Sequence, residues 1–211
     1  MKTESVQELL KVLASEYPST RTALRFSTPF QLLVATILSA QTTDAQVNRI
    51  TPELFTRYPA PADFCRASED EIAGCIRSVN FYRTKARHIK RLAEMLISEY
   101  RGVVPQTMAQ LTRLPGVARK TANVVLSQAF GKNEGIVVDT HVRRVANRLG
   151  LTRHTDPVKI EQDLMAILPR SQWGPFSFRL ICHGRTVCRA TRPSCGTCRI
   201  APLCTFPRRT R

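Results

Sequence analysis

Acidic residues are scarce in this chain: 16 Asp and Glu face 32 Lys and Arg over 211 residues, a formal net charge of +16. An excess of this size makes a polyanion the first partner to consider, through release of the counterions condensed on phosphates. Long apolar runs are missing as well. The most apolar stretch, Phe30 to Ala40, is too short to cross a bilayer. The start, Met1 to Leu13, is charged and helix-like and has no signal-peptide character. No basic amphipathic tail or lipidation signal is present, which favours nucleic acid over a membrane surface as the polyanion. A soluble, cytoplasmic protein is the expectation. There is no low-complexity linker and no internal repeat, so composition alone draws no domain boundary.

Strand alternation is absent too, apart from Ile136–Val138, which is too short to build a sheet. What recurs is the i, i+3, i+4, i+7 spacing of a helix face. Val6, Leu9, Leu10 and Leu13 follow it, as do Ile89, Leu92, Ala93 and Leu96. It returns in Ala122, Val125, Leu126 and Ala129, and in Val142, Val145, Ala146 and Leu149. Ser68 with Glu71 and Thr107 with Gln110 have capping-box spacing, and Asp156 before Pro157 starts another helix. Gly102, Gly131 and Gly150 stand where helices should stop. The fold class is all-α.

Seven cysteines is an odd number, and four form the pattern Cys188-x6-Cys195-x2-Cys198-x5-Cys204. In a reducing compartment such clustering points to metal ligation before disulfides. Four thiolates at this spacing can close around one centre, either structural zinc or an iron–sulfur cluster. The segment around them, to Arg211, is poor in helical pattern and needs cross-linking to be ordered. Cys65 and Cys75 lie far away in helix-like segments and read as buried structural thiols. Cys182 falls outside the pattern, and His183 reads as structural before it reads as a ligand.

Leu114-Pro115-Gly116-Val117-Ala118-Arg119-Lys120-Thr121-Ala122 lies between a short helix capped at Thr107 and a longer one running to Phe130. Pro and Gly enforce a tight turn, after which the second helix begins with free backbone N–H groups. Those donors and the positive helix end suit a DNA phosphate. Taken singly, Pro-Gly turns mostly connect, and a lysine here is a solvated helix-end charge. Asp139, in Val137-Val138-Asp139-Thr140-His141, stands where a carboxylate caps the next helix.

Together the hairpin lysine and an aspartate nineteen residues later resemble the helix-hairpin-helix DNA glycosylase superfamily, in its endonuclease III branch. The resemblance runs from about Pro29 to Cys204. It implies two all-α domains: a six-helix domain over residues 22–132, and a second formed by 1–21 with 133–211. It implies a [4Fe–4S] cluster on Cys188, Cys195, Cys198 and Cys204. Leu38-Ser39-Ala40-Gln41-Thr42-Thr43-Asp44 resembles the loop that inserts Gln41 into the duplex, and Phe81, with Tyr82 and Lys85, falls in a segment resembling a second insertion loop. Two positions depart from the family: Asn80-Phe81 replaces its usual Gly-Leu, and Ala118 replaces a hairpin Gly. For Gln41 the alternative is a solvated helix-end amide, and for Phe81 it is packing within its helix pair.

The implied activity is a bifunctional DNA glycosylase and abasic-site lyase on oxidised pyrimidines in base excision repair. Its partner is double-stranded DNA with damaged bases or abasic sites, and the protein is expected to be a monomer. A base must be flipped out of the duplex to be reached. Neutral Lys120 would then attack C1′ and expel it, with Asp139 aiding deprotonation and stabilising positive charge on the sugar. Gly116, Ala118 and Arg119 of the hairpin, with Arg189 and Arg192 at the cysteines, would contact DNA, and Arg199 extends that basic edge. Two rivals remain. The adenine-mismatch branch shares the cluster but usually has Ser in place of Lys120 and carries a further C-terminal domain. A non-enzymatic DNA-binding protein would need neither Lys120 nor Asp139.

Overall fold

The computed structural model describes residues 3–206; Met1, Lys2 and the stretch after Phe206 lie outside them. Among the described residues there is no strand. Ile136–Val138 is irregular backbone, buried, with its N–H groups bonded to side chains: Ile136 donates to Glu161 Oε1 at 3.2 Å and Val137 to Ser177 Oγ at 3.0 Å. No helix is long and apolar enough to cross a membrane.

Contacts divide the chain into two compact units, one of Thr22–Lys132 and one of the described residues up to Arg21 together with those from Asn133 onward. The first holds α2 (Pro29–Leu38), α3 (Asp44–Arg57), α4 (Pro61–Arg66), α5 (Glu69–Cys75), α6 (Tyr82–Tyr100), the single turn α7 (Met108–Leu111) and α8 (Arg119–Phe130). The apolar run seen in the sequence is α2. Every residue from Leu32 to Leu38 is buried, as a helix apolar on all sides must be. It packs on α3, α6 and α8, and Phe30 meets Phe64 of α4 edge-on at 5.5 Å.

Polar ends within this unit are closed by specific groups. Thr28, Thr43, Ser68 and Thr107 cap α2, α3, α5 and α7 by accepting a backbone N–H from three residues on. Two lysines of α6 close the other ends. Lys90 Nζ donates to the last carbonyls of α4, Cys65 O at 2.9 Å and Ala67 O at 2.8 Å, and Lys85 does the same for α2. Both cations oppose the negative end of a helix dipole. Cys65 and Cys75 are half-buried, a correction to the expectation of buried thiols. Each stands near the end of a short helix, of six residues for Cys65 and seven for Cys75, which gives incomplete cover.

The second unit holds α1 (Thr3–Glu16), α9 (Thr140–Arg148), α10 (Pro157–Ile167) and α11 (Trp173–Thr186). Helix α11 packs on α1 and α9. Val6, Leu9 and Leu13 of α1 and Val142, Val145 and Ala146 of α9 are buried. The packing of α9 on α11 is close: a Cβ built at Gly184 would stand 2.9 Å from His141 Cβ. Among the described residues beyond α11, 3-10 turns at Cys195–Thr197 and Ala201–Leu203 interrupt irregular backbone.

Candidate functional site

In the first unit, α7 and α8 are joined by a turn that buried Leu111 and Leu114 anchor. The Val117 N–H closes it onto Leu114 O at 3.1 Å. Gly116 is required twice over. Its φ is +77°, and a Cβ there would lie 3.0 Å from His88 Nδ1 and 3.1 Å from His88 Cβ. Ala118 then forms the N-cap of α8 in extended conformation, with no side-chain cap bond. A Ser or Asp at that position would occupy first-turn N–H groups. Alanine leaves the helix end, with its positive partial charge, open to an anion. Lys120 lies in this first turn and is exposed, and Arg119 is half-buried.

Asp139 belongs to the second unit and is half-buried. It is the N-cap of α9, and its Oδ1 accepts from His141 N and Val142 N, both at 2.8 Å. The capping role is therefore real, and it falls on one oxygen. Two bonds hold the carboxylate in a fixed orientation while Oδ2 has no bond among the described residues.

Gln41 and Phe81, both in the first unit, share an unusual geometry. Gln41, in the turn after α2, has φ +55° and is exposed; Phe81, the N-cap of α6, has φ +57°. Phe81 is 63 % exposed, which removes the alternative that it packs within a helix pair. Tyr82 and Lys85 are already in the first turn of α6, so only Asn80 and Phe81 of that segment are loop.

The four cysteines Cys188, Cys195, Cys198 and Cys204 are free thiols lining one hollow, together with apolar Val145 and Ile200. Burial above all, then the neighbouring cysteines, holds the Cys198 and Cys204 thiols above the ordinary thiol range. Among the described residues, no three His, Cys, Asp or Glu stand close enough to hold one metal ion. Four soft sulfur donors spread around a common hollow suit a multi-iron unit larger than a single ion.

Side chains of α9 grip this segment. Arg148 Nη1 donates to Arg189 O at 2.8 Å and to Cys188 Sγ at 3.3 Å, and Nη2 to Ala190 O at 3.0 Å. Its guanidinium lies 4.4 Å from the Phe206 ring centroid, and its carbonyl accepts from Cys204 Sγ at 3.3 Å. Arg144 bonds Cys188 O at 3.1 Å and Gly184 O at 2.8 Å. Sequence reading missed both arginines, although their i, i+4 spacing on the polar side of an amphipathic helix was visible. His183 is buried, its Nδ1 3.0 Å from Tyr17 Oη and its Nε2 3.7 Å from Cys198 Sγ. Burial pushes it down to about 4, so at neutral pH it is an uncharged, packed group. Arg189 and Arg192 are exposed, with Arg189 bonded to Ser194 Oγ at 3.2 Å. Arg199 differs from them, forming a 2.7 Å ion pair with Glu16 of α1.

Known proteins are similar to this chain along almost its whole length. Endonuclease III of Synechocystis sp. is 50 % identical over 203 residues, 96 % of this chain and 93 % of the relative. Endonuclease III of Bacillus subtilis is 43 % identical, covering 95 % and 92 %. Among solved structures, a trapped covalent endonuclease III–DNA intermediate matches with a TM-score of 0.92 at 43 % identity, over 97 % of this chain and 96 % of the other. A family model described as HhH-GPD superfamily base excision DNA repair protein matches residues 34–170. With relatives this similar over this much of its length, the chain belongs to the HhH-GPD superfamily of base excision DNA repair proteins.

Proposed function

We propose that this base excision repair protein is a bifunctional DNA glycosylase and abasic-site lyase, with Lys120 as nucleophile and Asp139 as its assisting carboxylate. The observation that carries the reading is the exposed Lys120 in the first turn of an uncapped helix that follows the hairpin. That turn can hold a DNA phosphate on its N–H groups and so bring the amine to the adjoining sugar. The relative captured as a covalent complex with DNA supports a covalent route here. Damaged, double-stranded DNA is the substrate class, and the net charge of +16 suits it.

The chemistry follows from the amine. Lys120 Nζ, once neutral, forms a bond to C1′ as the glycosidic C1′–N bond breaks and its electron pair leaves with the base. Asp139, oriented by its two N–H bonds, stabilises the positive charge that develops on the sugar and helps take up the amine's proton. The C1′–O4′ bond then breaks as O4′ takes up the proton passed to Asp139, and the ring opens to a protonated Schiff base, which acidifies the C2′ proton. Its removal forms the C2′=C3′ bond as the C3′–O bond breaks and the 3′ phosphate departs. Water then hydrolyses the Schiff base and frees Lys120.

Cys188, Cys195, Cys198 and Cys204 would hold a [4Fe–4S] cluster. When bound, it supplies iron–thiolate bonds that cross-link a segment otherwise held by 3-10 turns and the arginines of α9. Oxidised pyrimidines are the proposed lesions, and a bacterial cytoplasm, at the nucleoid, is the proposed setting. An oligonucleotide duplex carrying one oxidised pyrimidine tests the function. Release of the base with a β-elimination nick is expected. Release without a nick would leave a monofunctional enzyme, and neither product would refute the reading.

A further inference from the structure

Gln41 and Phe81 occupy the left-handed region that neither side chain favours, at φ +55° and +57°. Such conformations persist only where the surroundings over-determine them. Here the surroundings are each other's loops. The Asn80 N–H donates to Thr42 Oγ1 at 3.2 Å, and its side-chain Nδ2 to Gln41 O at 2.5 Å. Nearby, Gln46 Nε2 donates to Ser78 Oγ at 2.6 Å.

Beneath both loops lies Lys85, only 5 % exposed. Its Nζ donates to Leu38 O and Ala40 O, each at 2.7 Å, and to Thr42 Oγ1 at 3.2 Å. Its own N–H donates to Phe81 O at 3.0 Å. One residue thus grips the loop carrying Gln41 by its side chain and the Phe81 carbonyl by its backbone. Burial pushes the amine down to about 8, which leaves it an ammonium at neutral pH, with three donors for three acceptors. An apolar side chain of similar length would avoid the cost of burying a charge, yet would strand the carbonyls at the end of α2.

We propose that Lys85 and Asn80 are positioning residues that fasten the Gln41 and Phe81 tips into one preformed two-pronged wedge, which enters the duplex as a unit. The proposal rests on the glycosylase reading, since only an enzyme that extrudes a base leaves a gap to fill. Two independently mobile tips would each lose backbone freedom on insertion; a locked pair has lost it in advance. Asn80 stands where the resembled family usually has glycine. Its amide supplies a tie to Gln41 that glycine cannot, so the lock is expected to be tighter in this chain.

The test uses the full chain with Lys85→Met and Asn80→Gly, the second variant being at an exposed position that does not threaten folding. Extrusion is followed by 2-aminopurine fluorescence beside an oxidised pyrimidine in duplex DNA, alongside single-turnover base release. Borohydride adduct formation is measured on a short single-stranded oligonucleotide with an abasic site, where no stack has to be opened. Extrusion and base release should fall roughly 10- to 100-fold in Lys85→Met and by less in Asn80→Gly, while the single-stranded adduct forms at close to the native rate in both. Equal losses in both assays would mean a merely structural role and overturn the proposal, as would unchanged extrusion in both variants. A native chain that neither released base nor formed adduct would overturn the glycosylase reading and the wedge with it.

Discussion

The loops of Gln41 and Phe81 and the cysteine segment solve the same problem, order in irregular backbone, by different means. Around Gln41 and Phe81, the chain supplies everything: helix ends, cross-loop amide bonds and a buried ammonium that takes up stranded carbonyls. Around Cys188–Cys204, order comes from outside the segment, through Arg144 and Arg148 of α9 and, in the proposed holoprotein, iron–thiolate bonds. The first design gives a surface that is set once the unit folds. The second, with the proposed cluster, would make local folding conditional on a cofactor. It also joins the cysteines to the helix that Asp139 caps, so loss of the segment should disturb Asp139 while leaving the hairpin intact.

Removing one of the four proposed cluster ligands breaks this comparison most severely. In Cys198→Ser, hydrogen exchange should show the segment from Cys188 on, with α9, losing protection while α2–α8 retain theirs. Iron and sulfide analysis of the native chain should find about four of each, and zinc in their place would overturn the cluster. A milder cut is Arg148→Met, which deletes three bonds to the segment and the contact with Phe206. It should cost about 2 kcal/mol, roughly 4–8 °C in Tm for a chain of this size, with iron content reduced. In the self-sufficient unit, Gly116→Ala meets both a positive φ and His88. A loss of about 1–2 kcal/mol is expected with weakened DNA binding, and unchanged binding would remove the hairpin from the interface. Smallest in stability is Phe81→Ala. At 63 % exposure it should change stability by no more than about 0.5 kcal/mol yet weaken lesion binding. A large fall in Tm with binding intact would reverse that reading.

Local signals carried most of the fold. Ile89, Leu92, Ala93 and Leu96 were legible as one helix face because their burial repeats with the helical period, and all four are buried. Ser68 with Glu71 and Asp156 before Pro157 were legible as caps because a cap is satisfied within a few residues of itself. Asp139 was legible as a cap for the same reason. Contacts distant in sequence were not legible. Lys85 reads as one more cation in a basic helix until residues 38–42 are brought over it, 43 to 47 positions away in sequence. Arg148 likewise gains its role only from a segment 40 to 42 positions on. The pairing of Arg199 with Glu16, 183 positions apart, turned one arginine of the expected basic edge into an ion pair for which no local pattern exists.

In the proposed reaction an amine of this chain, Lys120, becomes covalently bound to the sugar of the damaged nucleotide. A water-using glycosylase never forms that bond, whereas an amine nucleophile must pass through a Schiff base that borohydride reduces to a stable link. Borohydride added during turnover on a duplex with an oxidised pyrimidine should yield a protein–DNA adduct whose linked peptide contains Lys120. Lys120→Gln should yield none and release no base while binding DNA nearly as well, since one charge among many phosphate contacts is a small loss. Asp139→Asn should slow base release by about 10²–10⁴-fold and still trap weakly on a preformed abasic site. An undiminished adduct from Lys120→Gln, or an adduct mapped to another residue, would contradict the account.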